Sequence, residues 1–291
     1  MTTDIHWQCG AMNVASKTYG DPKNPWVIAL HGWLDNAASF DALAPLLKDV
    51  YVIALDLPGH GHSDAMTSPD HYTIAHYADV VAQIIQQSHH QPIRLLGHSL
   101  GGGIAAFIAS QHPSFIDSVI MIDVLGPLSS EKQDTEDNAE NMLRSMRDAA
   151  SRARKKTYAS LEDMIHIRAR VNHLPVSRVQ PMVERGVCQT EDGWMWVYDH
   201  ALTQKTKHPL SESQVLSILA NIQCPVMVIE ASEGIFKGEA YHSKRFKALT
   251  HAHHALLTGH HHIHMECPSK VADIISEFYS YLSTVATKKK E

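Results

Sequence analysis

The 291-residue sequence has only four cysteines, at positions 9, 188, 224 and 267, and they share no short spacing. That scatter excludes a disulfide framework and a cysteine-built zinc cage, and it fits reduced thiols inside a cell. Long apolar runs are also missing. No stretch approaches the roughly 20 residues needed to cross a bilayer, and the first eight residues lack the basic start and apolar run of a secretory leader. The expectation is a soluble cytoplasmic protein with no membrane span. Positive charge is scarce as well: 25 Lys and Arg stand against 31 Asp and Glu, a formal net charge of -6. Binding a phosphate backbone needs concentrated positive charge, so nucleic acid is not an expected partner. The two basic runs, 152–156 and 288–290, read as a solvated helix face and a frayed end. Internal repeats are absent, and low complexity is confined to the terminal lysines.

What is present is a large apolar share, 44 % of residues, ordinary for a globular protein with a sizeable core. Short apolar runs at 26–30, 51–56, 93–96, 118–124, 224–230 and 252–257 read as buried strands. Between them, 74–87, 100–111 and 269–282 carry helical spacing or helix-forming composition. Residues 5–20 alternate weakly and end in Tyr19-Gly20-Asp21-Pro22, which suggests an N-terminal hairpin at a sheet edge. Strands buried on both faces and alternating with helices predict an α/β fold with a mostly parallel central sheet and helices on both faces. From 128 to about 220 the chain turns to charge and helix formers, with helices expected over 131–154, 161–171 and 179–185. An excursion of that length is too long for a loop and reads as an inserted helical cap. The division expected is core 1–126, cap 127–220, core 221–291. The aromatics of Trp194-Met195-Trp196-Val197-Tyr198 read as packing the cap onto the core.

One corner organises the chemistry. The strand ending at Leu96 breaks at Gly97-His98-Ser99-Leu100-Gly101, and a helix rich in Gly and Ala begins at once. This is the nucleophile-elbow pattern, in which a serine projects from a strained strand-to-helix turn. A serine hydroxyl is a weak nucleophile at neutral pH and needs a base, which in turn needs an orienting acid. In the elbow architecture the base follows the last strand. There the chain reads Gly259-His260-His261-His262-Ile263-His264, so four histidines compete. Asp56-Leu57-Pro58-Gly59-His60-Gly61-His62-Ser63 reads as a hydrogen-bonded brace for a strand end. Histidines two or three apart between His251 and His264 could ligate zinc, but no cysteine or carboxylate cluster nearby in sequence completes a site.

On these stretches, with His31-Gly32-Trp33-Leu34-Asp35-Asn36, Ile122-Asp123-Val124-Leu125-Gly126-Pro127 and His261 to Pro268, the chain resembles the α/β-hydrolase superfamily, and within it the serine hydrolase-like group. The resemblance implies Ser99 as nucleophile and His261, seven residues before Pro268, as base. In many relatives the acid stands at the position of Gly234, which has no side chain to offer. The resemblance then implies Asp123, with Glu233 and Glu230 in reserve. It also places the oxyanion hole at the backbone amides of Trp33 and Leu100. The activity implied is hydrolysis of a small-molecule carboxylic ester or related acyl bond through an acyl-enzyme, with no cofactor and no metal. The missing acid at 234 raises the alternative of a catalytically silent fold used for binding.

Overall fold

Each central strand carries apolar side chains on both faces, and that pattern decides the layering. In β3 (Trp26–Leu30) Ile28 and Leu30 face one side of the sheet, while Val27 and Ala29 face the other, all without solvent exposure. The same alternation holds in β4 (Tyr51–Leu55), β5 (Ile93–His98), β6 (Ile116–Ile122) and β9 (Val226–Glu233). Burying a Val, Leu or Ile side chain contributes about 1.5–3 kcal/mol, so a strand of this kind is stable only with a layer on each side. The computed structural model describes residues 3–129, 137–154, 156–204, 209–235 and 240–288. Of the sequence readings, the helix start over 131–136, Lys155 of the first basic run and residues 289–290 of the lysine tail lie outside those residues.

Among the described residues, eight strands form one sheet in the order β1-β2-β4-β3-β5-β6-β9-β10. The N-terminal hairpin, β1 (Thr3–Cys9) and β2 (Met12–Tyr19), is antiparallel and joins β4 antiparallel at one edge. All other pairings are parallel, ending with β10 (Ala252–His260) on β9. On one side lie α1 (Ile74–Ser88) and α2 (Leu100–Gln111), whose apolar residues share a core with Ile28, Ile53 and Leu95. On the other lies α9 (Pro268–Lys288), packing Val271, Ile275 and Phe278 under Val27, Ile120 and Ile229. The fold is an α/β-type layered sheet, as the strand pattern predicts.

The excursion after β6 contains α3 (Asp137–Arg154), α4 (Leu161–Asn172), α5 (Val176–Arg185) and α6 (Glu212–Ala220). It is not wholly helical. A two-stranded hairpin, β7 (Val187–Thr190) with β8 (Gly193–Trp196), stands in its middle. Polar ties fasten this segment to the loops that follow the central strands. Arg185 donates from Nε to Asp56 Oδ2 at 2.9 Å, Asn36 Nδ2 donates to Met182 O at 2.7 Å, and Tyr72 Oη donates to Asp199 at 2.5 Å. Trp196 and Trp194 pack against buried clusters, and Tyr198 is itself buried with its hydroxyl on Ala150 O.

A buried ion pair holds the start and end of the excursion together. Arg245 of α7 (Ala240–Ala248) is 1 % exposed and pairs with Glu212 at 2.5 Å, and it also donates to the carbonyls of Leu125 and Pro127. Burial alone would raise the Glu212 pKa, but the hydrogen bonds from Arg245 and Ser129 and the Arg245 charge hold it below the usual range. Removing one partner of a buried pair leaves an uncompensated charge and costs about 3–5 kcal/mol. Glu212→Ala should therefore lower the urea midpoint by an amount equal to a loss of that order. The folded pKa lies below the unfolded one, so the pair's contribution is complete above about pH 4.3 and fades as the pH falls through the folded value. A midpoint for Glu212→Ala within experimental error of the parent would remove this role.

Candidate active site

The corner that carries Ser99 depends on two backbone approaches. A Cβ on Gly97 would fall closer than 3.0 Å to the backbone of Gly101 and Gly102, and one on Gly101 would strike the Leu30 carbonyl. Only glycine lets α2 start that close to β5. Ser99 sits between them at φ 51°, ψ −117°, a conformation that costs of order 1–3 kcal/mol for a residue with a side chain. The turn is held by Ser99 N–H on the Ile122 carbonyl at 3.1 Å and by Gly101 N–H on the His31 carbonyl at 3.1 Å. Ser99 is half-buried at the start of α2.

Asp123 leaves the end of β6 with φ 46°, which turns its carboxylate toward the strand ends of β9 and β10. The carboxylate accepts three hydrogen bonds: from Ala231 N–H at 3.1 Å, from Ile235 N–H at 3.2 Å and from His261 Nδ1–H at 2.6 Å. With Nδ1 donating, the neutral ring keeps Nε2 unprotonated. Burial would raise the Asp123 pKa, but the His261 hydrogen bond and charge, with the two amides, carry it below its usual value. Burial lowers the His261 pKa, and the Asp123 hydrogen bond only partly offsets that. The ring is thus neutral at pH 7.

Gly234 leaves room for the Asp123 carboxylate. A Cβ there would lie closer than 3.0 Å to Asp123 Oδ1, Oδ2 and Cγ together. The Asp123 carboxylate occupies the volume that a side chain at 234 would fill. The reserve acids are engaged or placed elsewhere. Glu230 accepts from His254 at 2.5 Å and lies against His242, and Glu233 is an exposed residue at the end of β9. His260 points to the solvent side, stacked on His173, with Glu266 against it.

Two backbone amides flank the corner. Leu100 N–H follows Ser99, and Trp33 N–H follows the neighbouring strand β3. Among the described residues neither has a protein acceptor. The loop bearing Trp33 is fixed by buried His31, which donates from Nδ1 to Gly32 O at 2.7 Å and accepts Leu57 N–H on Nε2 at 2.9 Å. Burial, chiefly, lowers its pKa to about 3, so this brace carries no charge.

The family model described as alpha/beta hydrolase fold matches residues 25–268. A serine hydrolase-like protein of Danio rerio is 26 % identical over 265 residues, covering 87 % of this chain and 80 % of that one. The chain belongs to the α/β-hydrolase superfamily, in its serine hydrolase-like group. Two solved structures share the hydrolase fold over nearly the whole chain. A hypothetical protein of Pseudomonas aeruginosa PAO1 is 30 % identical at a TM-score of 0.82, covering 95 % of this chain and 99 % of its own. A thioesterase domain from the curacin biosynthetic pathway is 22 % identical at a TM-score of 0.80, covering 94 % and 99 %. Membership supports hydrolase activity. No described helix of this hydrolase is long and apolar enough to cross a membrane.

Behind the Asp123–His261 pair, the hydrolase carries a second polar layer that the sequence did not reveal. Buried Asp35 and His98 and half-buried His262 bring one ligand atom each within 4.8 Å of one another, the grouping of that kind found among the described residues. Of the histidines between 251 and 264, His262 alone joins it, and the carboxylate comes from a loop more than two hundred residues earlier. Arg168 of α4 donates to Asp35 Oδ1 at 2.6 Å. Burial would raise the Asp35 pKa, but His262, His98 and Arg168 together hold it well below the ordinary value. Burial, opposed by Asp35, lowers His262 to about 4. The only local hint was His98 itself, inside the elbow pattern; nothing near Asp35 in sequence points to it.

Proposed function

We propose that this hydrolase cleaves a carboxylic ester, or a related acyl bond, of a small molecule through Ser99, His261 and Asp123. The observation that carries this reading is the 2.6 Å bond from His261 Nδ1 to Asp123, made beside a serine held in the strained elbow conformation. His98, the residue before Ser99, donates from Nε2 to the His261 carbonyl at 3.0 Å, a tie between the elbow and the segment that bears His261 which supports the reading.

In the proposed reaction His261 Nε2 takes the Ser99 hydroxyl proton as Oγ attacks the carbonyl carbon. Trp33 and Leu100 N–H donate to the oxygen as negative charge develops on it. His261 then gives the proton to the departing alcohol, and water, deprotonated by the same ring, releases the acid and restores Ser99. Asp123 holds the tautomer and stabilises the imidazolium. Residues 127–220 serve as the cap over the carboxyl edge and set which acyl groups enter. The silent-fold alternative rested on the missing acid at 234, and the Asp123–His261 bond supports the catalytic reading beside it.

A fluorophosphonate probe reads the nucleophile without knowledge of the substrate. Labelling of the wild type and loss of labelling in Ser99→Ala is the expected pair of results. Equal labelling of both proteins, or of neither, would mean that Ser99 is not an activated serine.

A further inference from the structure

We infer that Asp35, His98 and His262 form a binding site for a divalent transition metal ion of the zinc class, placed to inhibit the hydrolase reversibly when filled. The three ligand types, two imidazoles and one carboxylate, are those that zinc takes when a fourth position is left to water. Bonds of 2.0–2.1 Å at tetrahedral angles put neighbouring ligand atoms about 3.3 Å apart. Asp35 Oδ2 lies 3.2 Å from His262 Nε2 and 3.6 Å from His98 Nδ1.

An unpartnered buried nitrogen points to a ligand here. His98 is fully buried, and its Nε2–H is committed to the His261 carbonyl. Its Nδ1 has no hydrogen-bond partner, although it lies 3.6 Å from the Asp35 carboxylate. His262 Nε2 lies 3.2 Å from Asp35 Oδ2 and 3.4 Å from Asn172 Nδ2, so it donates to the carboxylate and gives up that proton when a cation binds. Two imidazole nitrogens and a carboxylate oxygen thus lie within 4.8 Å of one another. The surroundings match what a metal site requires: the other nitrogen of His98 bonded to a backbone carbonyl, and the other oxygen of Asp35 bonded to Arg168. At Gly32 a side chain would crowd both His98 Nδ1, at 2.8 Å, and Asp35 Oδ2, at 3.0 Å, so glycine there keeps the space open. A small cleft lined by Leu34, Arg168, Trp196 and Tyr198 reaches Asp35 from outside.

Each ligand adjoins a different part of the proposed machinery. Asp35 is two residues from Trp33, His98 precedes Ser99, and His262 follows His261. Drawing the three together would shift all of these parts at once, which is why filling the site should slow turnover. That effect rests on the proposed function; the binding does not.

The test uses the full, tag-free chain stripped with a chelator. Titration with Co²⁺, followed by visible absorption, and with Zn²⁺, followed by calorimetry, should each give one tight site. His262→Gln, a variant at a partly exposed position, should weaken that site by about 100-fold. Two controls should keep it: His254→Gln, which alters the histidines around Glu230, and Ser99→Ala, in which the proposed chemistry is already gone. Zn²⁺ should lower wild-type ester turnover, with recovery on adding EDTA. Absence of a one-equivalent site, or a site that survives in His262→Gln, would overturn the proposal. Tight binding without loss of turnover would overturn the inhibitory part.

Discussion

Asp123→Asn should lower kcat by about 10⁴-fold while leaving the chain folded. The carboxylate accepts from three donors and gives nothing back: Ala231 N–H and Ile235 N–H from the end of β9, and His261 Nδ1–H. An amide has one oxygen for three donors, so its NH2 must face one of them. Turned toward His261, it can bond only a bare Nδ1, which moves the ring proton to Nε2. A ring protonated there cannot take the Ser99 proton. The size is the same shape with a different tautomer, so unfolding is not the expected cause. A steady-state assay on a p-nitrophenyl ester, run beside a thermal melt, reads both quantities. A loss under 10-fold with an unchanged melt would remove Asp123 from the reaction.

Gly234→Ala should lower kcat/KM by about 10²-fold or more, because the added methyl enters the volume of the Asp123 carboxylate and a misplacement of about 1 Å can cost that much. The more informative experiment moves the acid. Asp123 adopts φ 46°, a conformation natural to glycine, so Asp123→Gly removes the carboxylate without straining the turn. Combined with Gly234→Asp, it should recover about 10-fold or more of the activity lost in Asp123→Gly alone. Neighbouring groups that share one task couple in this way. Gly234→Asp in the wild-type background should instead be harmful, since two carboxylates would compete for one space. Simple additivity of the two changes would mean that positions 123 and 234 do not serve the same ring.

Much of the sheet was legible in the sequence because strands covered on both faces must be apolar at consecutive positions. The run at 26–30 coincides with β3 and that at 51–56 nearly with β4. The elbow was legible for a different reason: close backbone approach admits only glycine, and the glycines flank the serine at fixed spacing. Short strands with mixed side chains left no such trace. Val187-Cys188-Gln189-Thr190 and Gly193-Trp194-Met195-Trp196 pair across a two-residue turn, yet the first is half polar and the second reads as aromatic packing of the cap. The end of β6 was misread by two residues, because Asp123-Val124 continues the apolar composition after the backbone has already turned out of the sheet.

Partners supplied by tertiary folding were not legible at all. Arg245 and Glu212 lie 33 residues apart, in segments that look like ordinary charged helices. Asp35 and His262 are 227 residues apart. In a polar loop an aspartate reads as a turn residue, and only the sheet order, with β3 beside β5, brings it next to His98. The choice of His261 from four candidate histidines came from the resemblance; the spacing alone left it open.

The central claim is an acyl group carried on Ser99. Rapid quenching of the enzyme with a slowly deacylating p-nitrophenyl ester, followed by peptide mass mapping, tests it directly. The account predicts one added acyl mass, located on the peptide that contains Ser99, and no adduct in Ser99→Ala. An acyl mass on another residue, or steady turnover by Ser99→Ala, would contradict it.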